Sequence, residues 1–291
     1  MRLREKAVTT VSEANPTVAR RRLAVYFRKL REQHAFGLDR LSTILGVALS
    51  QASRLDTGAR GFQVEDVQKL AQWYGLEPGE QARLVALAEE GRKRAWWQQF
   101  DLDPPLRTMI GMEQAAVSIG EYAGSVIPGL LQTPDYARAS FAAALVDVPR
   151  QTADDVVAVR MRRQQVLARA RPPELWVVID EAALARVAGG AAVMRRQLEH
   201  LHAKANEPGM TVQVIGFEYG IYPGGGNHFV LLRMEDLPDV LYTESLEKHS
   251  DTTDPSALQA TRKLWDALRA LALSPRDSAD RIMKYINQLP S

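Results

Sequence analysis

The sequence predicts two domains: an all-α domain of five short helices, then an α/β or α+β domain. The second domain has one sheet of about four or more strands, flanked by helices. Three observations predict this. Between Pro16 and about residue 90, apolar residues recur at helical spacing in five runs set apart by glycine or proline. Further on, the extended apolar runs "ELWVVID", "MTVQVIG", "NHFVLLRM" and "DVLYTES" lie among helical stretches, the pattern of a sheet inside helical flanks. The length, 291 residues, suits two domains of ordinary size. The expected division is a mobile tail over 1–15, a helical domain over 16–90, a linker over 91–107 and a second domain over 108–291.

Pro16 opens the first helix, because its fixed φ suits a first helical position. Val18, Leu23, Val25, Phe27 and Leu30 carry this helix to His34, and Gly37 breaks it. Leu38, Leu41 and Leu45 mark a second helix, Gly46 turns the chain, and 49–57 form a third that Gly58 stops. Val64, Val67, Leu70, Ala71 and Tyr74 mark a fourth, ended by Gly75. Pro78 opens a fifth, which Leu84, Leu87 and Ala88 carry to about Glu90. "GRKRAWWQQFDLDPP" joins the domains, with Trp96 and Trp97 read as an apolar clasp between them.

In the second domain 112–120 reads as helical. "SVIPGLLQTPDYARASFAAAL" reads as an extended piece, a turn and a helix from Pro134. Thr152 and Asp155 look like a capping-box start for a long helix to about Arg169. The unbroken apolar run of "ELWVVID" suits a strand buried on both faces. A helix or two cover 181–206, and helices over 255–273 and 276–289 close the chain.

Composition narrows the function classes. With no cysteine, the chain has no disulfide, thiolate metal site or cysteine nucleophile. Its apolar runs are too short to span a bilayer, and no signal-peptide pattern stands near the start, so a cytoplasmic protein without membrane contact is expected. Residues 1–60 hold twelve Lys/Arg against five Asp/Glu, a balance of +7, which leaves −5 for the rest of a chain of net +2. A basic end on a mildly acidic body suits an approach to phosphate.

The third helix carries the functional reading. Ala48, Ala52 and Leu55, at i, i+4 and i+7, make an inward stripe that meets Leu38, Leu41 and Leu45 of the second helix across Gly46. This is the arrangement of a helix-turn-helix. Leu49 and Ser53 then face outward, with Ser50, Arg54 and Thr57 beside them. Arg54 can hydrogen-bond a guanine in bidentate fashion or hold a phosphate. Ser50 and Gln51 sit at the end where base edges are read, and Leu49 offers apolar contact suited to a thymine methyl. Arg40 and Arg60 complete the candidate DNA-binding set.

"LGVALSQASRLDTG" resembles the XRE (lambda-repressor-like) pattern L-G-x-S-x-x-x-x-S-R-x-E-x-G. The longer series "PTVARRRLAVYFRKLRE", "WW", "EYAGSVIPGLLQTPDYARA", "RMRRQ", "DEAALARVAGG" and "GGGNHFVLL" is similar to actinobacterial antitoxin-like XRE regulators with a C-terminal domain of uncharacterised function. The resemblance runs from about Pro16 onward. It implies a lambda-repressor-like fold for the five helices and a transcriptional regulator, often encoded beside a small partner protein. The chain departs from the pattern at Ala48 and Gly37, where the family has Ser or Thr caps, at Gln51, where a basic residue is common, and at Asp56, which replaces Glu. Ser53, Arg54 and Gly58 are retained. Losing a Ser cap to Ala costs about 1 kcal/mol and to Gly only a few tenths, so the departures bear on strength and base preference more than on fold.

Enzyme readings find little purchase. His200 and His202 are two apart on an expected helix and face apart, which is poor metal geometry. "PGGGNHF" precedes a strand rather than a helix, so it reads as a flexible hairpin and not a phosphate cradle. A likeness of "NHFVLLR" to phospholipase-D-like domains stops at His228, because Phe229-Val230 break the catalytic His-x-Lys pattern. Asp180 and Glu181 end a buried strand and read as helix caps; Glu244 and Glu247 read equally well as surface charges. No catalytic residue, cofactor or metal is expected.

The expectation is a dimeric, sequence-specific DNA-binding regulator whose second domain senses a small-molecule effector or docks a small partner protein. The alternatives are an antitoxin-like interaction module with secondary DNA binding, and an enzyme using the sheet.

Overall fold

The computed structural model describes residues 14–144, 150–244 and 249–290. Most of the expected tail over 1–15, and Glu247, lie outside them. The chain divides into two compact units, Met1–Gln98 and Gln99–Ser291.

The first unit holds α1 (Pro16–Gln33), α2 (Leu38–Leu45), α3 (Leu49–Asp56), α4 (Val64–Tyr74) and α5 (Pro78–Arg92). Asn15 caps α1, its side chain accepting from the Val18 amide. Glycines end α2 and α4: Gly46 and Gly75 adopt left-handed φ of 69° and 63°. Leu23, Phe27, Leu41, Leu45, Ala52, Leu55, Phe62, Val67, Leu70 and Leu84 form its core. The residues expected as a linker contain the end of α5, a 3-10 turn at Trp96–Gln99 and the first turn of the next helix. Trp96 and Trp97 are buried and meet edge-on, with ring centroids 5.6 Å apart.

The second unit runs α6 (Pro104–Glu113), β1 (Ser118–Ala123), α7 (Pro134–Ala144), α8 (Arg150–Arg163), β2 (Glu174–Asp180), α9 (Ala182–Ala185), α10 (Ala191–Ala205), β3 (Met210–Ile215), β4 (His228–Arg233), β5 (Val240–Glu244), β6 (His249–Thr252), α11 (Pro255–Leu271) and α12 (Pro275–Gln288). Its six strands form one mixed sheet in the order β3-β2-β1-β4-β5-β6, parallel over the first three and antiparallel over the rest. Helices flank it, and α11 lays Leu258, Trp265 and Leu268 on Tyr122, Val178, Phe229 and Leu241.

Several expectations are corrected here. Residues 118–120 belong to a strand, not a helix, and β1 is a central strand pairing with both β2 and β4. Gly120 and the buried Glu121 break the apolar alternation that would have marked it. Gly120 is required by packing, since a Cβ there would lie 3.2 Å from Trp265 Cε2. The strand β6, "HSDT", carries no apolar side chain and is held at the sheet edge by pairing with β5.

Residues 223–227 do not close a hairpin. They lead from edge strand β3 to β4, which pairs with β1 and β5. Gly224 and Gly226 take left-handed φ of 78° and 83°, and Gly124 makes room for this segment, because a Cβ on Gly124 would lie 3.1 Å from Gly226 Cα. Helix α8 is already formed at Arg150, so Thr152 is not its cap, and a 3-10 turn replaces the helix after Arg163.

Gly120→Val should overpack the β1–Trp265 contact and cost the second unit about 1–3 kcal/mol. Urea unfolding checks this, and an unchanged midpoint would show that Trp265 yields freely.

Candidate functional site

Helix α3 has eight residues and no side-chain cap: Ala48 offers none, and neither does Gly37 before α2. A helix this short does not hold itself in water, so its neighbours must place it. The turn before it is drawn tight by Gly46 and Val47 amides donating to Ser42 O and by Ser42 Oγ donating to Val47 O at 2.6 Å. Ala52 and Leu55 enter the core with exposures of 0% and 1%.

The C-terminal end is held by charge. Asp56 is buried, and its Oδ1 and Oδ2 accept from Arg31 Nε and Nη2 at 3.0 and 3.2 Å. Arg28 Nε lies 3.2 Å from Oδ2 and donates to Asp56 O at 3.1 Å. Arg31 Nη1 also donates to Phe36 O at 2.8 Å, tying α1 to the approach to α2. The bidentate Asp56 contact, partly offset by burial, keeps Arg31 above its ordinary pKa.

This packing sets out a polar face. Leu49 is 56% exposed; Ser50, Arg54, Thr57 and Arg60 are exposed, and Gln51 and Ser53 are half-buried. Arg54 Nε rests on Ser50 O at 3.4 Å, and Thr57 Oγ1 donates back to Ser53 O at 3.0 Å. Arg40 stands apart in its contacts, with its guanidinium over the rings of Trp73 and Phe36 at 5.4 and 6.0 Å. Ala48 is exposed rather than inward, because as the N-cap it precedes the helical turn. Asp56, which the sequence marked only as a replacement for Glu, is buried. The pairing of Asp56 with Arg28 and Arg31 was legible only as a spacing: two arginines three apart on α1 share a face.

The second unit gathers polar side chains around one loop and one sheet end. Residues 126–136, the "VIPGLLQTPDY" stretch, are fastened by Gln164 Nε2 donating to Gly129 O and Gln132 O at 3.0 and 2.7 Å. Gln197 spans Leu131 O and the Thr133 amide at 2.7 and 2.6 Å. Tyr136 Oη accepts the Ile127 amide at 3.2 Å, and Arg160 reaches Gln132 Oε1. Beside it, Arg163 forks onto buried Glu113 at 3.1 and 2.8 Å. "RMRRQ" and Gln197 of α10 therefore share the side chains that satisfy the "PGLLQ" loop.

At the sheet end, His228 Nε2 meets buried Glu121 at 2.9 Å and Nδ1 meets Glu244 at 3.1 Å, from β4 to β1 and β5. Burial alone would lower the His228 pKa, but the two carboxylates outweigh it and hold it at about 9. Glu244 is therefore not a lone surface charge.

Asp180 caps in part, Oδ1 accepting from the Ala182 amide at 2.7 Å, while Oδ2 takes the Tyr222 hydroxyl. Glu181 stands at the N-cap position of α9, but its side chain makes no cap bond. It is buried and accepts from the Phe217 amide at 2.8 Å, Arg281 Nη1 at 2.6 Å and Tyr285 Oη at 3.0 Å. Among the described residues no group of three or more His, Asp or Glu could hold a metal ion, and no helix is long and apolar enough to cross a membrane.

Residues 106–284 match the model of the family described as "Domain of unknown function (DUF5753)". No curated protein and no solved structure matches the chain.

Two outcomes follow from this geometry. Asp56→Ala leaves two guanidiniums without their buried acceptor and should cost the first unit about 3–5 kcal/mol. Chemical denaturation reads it, and a loss near zero would mean that α3 is seated by apolar packing alone. The second outcome concerns pH. His228 titrates near 6.5 when unfolded and about 9 when folded. Its contribution is therefore whole below pH 6.5 and fades as pH rises through 9. Unfolding of the full chain at pH 6 and pH 9.5 should show a fall on the order of 2 kcal/mol that His228→Gln removes. An equal fall in that variant would assign the pH dependence elsewhere.

Proposed function

The chain belongs to that family of uncharacterised domains, and from the geometry of the first unit we propose that the protein is a sequence-specific DNA-binding transcriptional regulator. The observation that carries the reading is the α3 face with exposed Leu49, Ser50, Arg54 and Thr57 around half-buried Ser53, on a helix locked to α1 through Asp56. In this reading the five helices are a lambda-repressor-like domain of XRE type, and α3 enters the major groove. Arg54 reads a guanine or grips a phosphate, Ser50 and Gln51 meet base edges, and Leu49 packs on a thymine methyl. Arg60 stands beside the same face. Arg40 contributes charge from its aromatic perch, and its other face is open to a phosphate.

An eight-residue helix reads only a few base pairs. The functional form is therefore a homodimer, in which two half-sites add their affinities. The second unit senses a small-molecule effector or docks a small partner protein, and the regulator works in the cytoplasm of an actinobacterial cell. No catalytic step, cofactor or metal is assigned to it.

A second reading is favoured by one observation: Leu49, a large apolar side chain, is 56% exposed on an uncapped helix. That suits an antitoxin-like module in which this surface meets a small partner protein and DNA binding is secondary. Co-purification with a neighbouring small protein, and loss of that partner with Leu49→Ser, would favour it over the first. An enzyme using the sheet would need a nucleophile or acid–base pair open to substrate. His228 instead spends both ring nitrogens on Glu121 and Glu244.

Fluorescence anisotropy against the protein's own promoter region tests the main reading. Arg54→Ala should weaken specific binding by about 1–3 kcal/mol, with less effect on unrelated duplexes. Absence of specific binding, or specific binding untouched by this change, would remove α3 as the reading head.

A further inference from the structure

Four arginines converge in one cleft where no described carboxylate faces them. A cleft of about 370 Å³ in the first unit is lined by Arg20, Arg54, Arg60 and Arg92 together with the backbone of residues 59–63 and Gly91. Among the described residues no acidic one lines it. Three elements build it: α1 gives Arg20, α3 gives Arg54, and α5 gives Gly91 and Arg92. The loop after α3 supplies Arg60.

The floor of the cleft is made deliberately close. Arg20 Nε donates to Gly91 O at 2.7 Å, which pins the half-buried guanidinium in place. A Cβ on Gly61 would lie 3.1 Å from the Arg20 side chain, and one on Gly91 would lie 3.2 Å from it. The two glycines therefore leave room for the arginine stem. Arg54 uses only Nε, on Ser50 O, and no described residue accepts from Arg60 or Arg92. Like charges in one concavity repel, and a cleft of one sign focuses its field on an incoming counter-ion. Guanidinium forks pair in bidentate fashion with phosphate as with carboxylate, and several forks in one concavity suit the anion with more oxygens and more charge, a phosphate.

We propose that the cleft framed by Arg20, Arg54, Arg60 and Arg92 is a phosphate-binding site. The phosphate comes either from the DNA backbone beside the bases that α3 meets or from a free phosphorylated compound. Only the DNA source rests on the reading of the protein as a DNA binder. The cleft itself does not.

Arg92 is the residue to change, because it is exposed and bonds to no described side chain, so its loss leaves the fold intact. The full chain and its Arg92→Glu and Arg92→Lys variants are compared in two assays: anisotropy on promoter and unrelated duplexes over a salt series, and thermal unfolding with sodium pyrophosphate. For a DNA phosphate, Arg92→Glu weakens binding to both duplexes alike and makes the slope of log K against log salt shallower by about 1, and Arg92→Lys restores it. For a free phosphate compound, pyrophosphate raises the unfolding temperature of the wild type and of Arg92→Lys but not of Arg92→Glu.

Either result supports the site and names its source. A salt slope unchanged in Arg92→Glu, together with no pyrophosphate stabilisation, overturns it, even where the wild type binds its promoter. Pyrophosphate stabilisation in a chain that binds no duplex upholds the cleft and removes the DNA reading instead.

Discussion

The candidate reading head depends on one carboxylate. Asp56 closes α3 and receives Arg31 in a two-pronged contact and Arg28 beside it. Without this contact an eight-residue helix with no side-chain cap at its start has few means of keeping its orientation. Ala52 and Leu55 anchor its inner side, and the Asp56 contact holds its C-terminal end. A buried ion pair is weak as a source of net stability, yet it is strict about geometry, because breaking it strands a charge. Strict geometry is what a surface for reading base edges needs, since each hydrogen bond there tolerates little displacement.

The second unit follows the same rule with different chemistry. Its 126–133 loop has little regular structure of its own beyond a short 3-10 turn, and side-chain amides of Gln164 and Gln197 take over the work of a backbone ladder. Arg163 on Glu113 and His228 between Glu121 and Glu244 stiffen the nearby interior and sheet end. Buried polar groups fully answered in this way specify one arrangement, whereas an apolar filling would tolerate several. The unit thus has a rigid, charged interior around a fixed loop. That is compatible with recognition of another molecule.

Much of the first unit was legible in the sequence, because its helices obey local rules. Pro16 and Pro78 start helices, Gly46 and Gly75 end them, and the apolar spacing between is helical, so boundaries fall within a few residues of expectation. Ala48 misled because a helical stripe was extended one position past the helix into the cap. The second unit was harder to read. Strand β1 is central and buried on both faces, yet it spends its inner positions on Gly120 beneath Trp265 and on Glu121 facing His228. Neither use leaves an apolar alternation. β6 is recognisable only from its partner strand. Of the candidate site, the outward residues of α3 could be read from periodicity. Asp56, Arg20 and Arg92 could not, since their roles arise from contacts between helices distant in sequence.

In the proposed regulator α3 reads sequence and is not merely a basic surface. Selection of bound duplexes from a random-sequence pool by the full chain at physiological salt tests that most directly. The account predicts enrichment of a short motif, repeated as two half-sites about one helical turn apart, with a guanine within reach of Arg54 and a thymine within reach of Leu49. A pool that emerges unenriched, with binding that depends on salt alone, would contradict it.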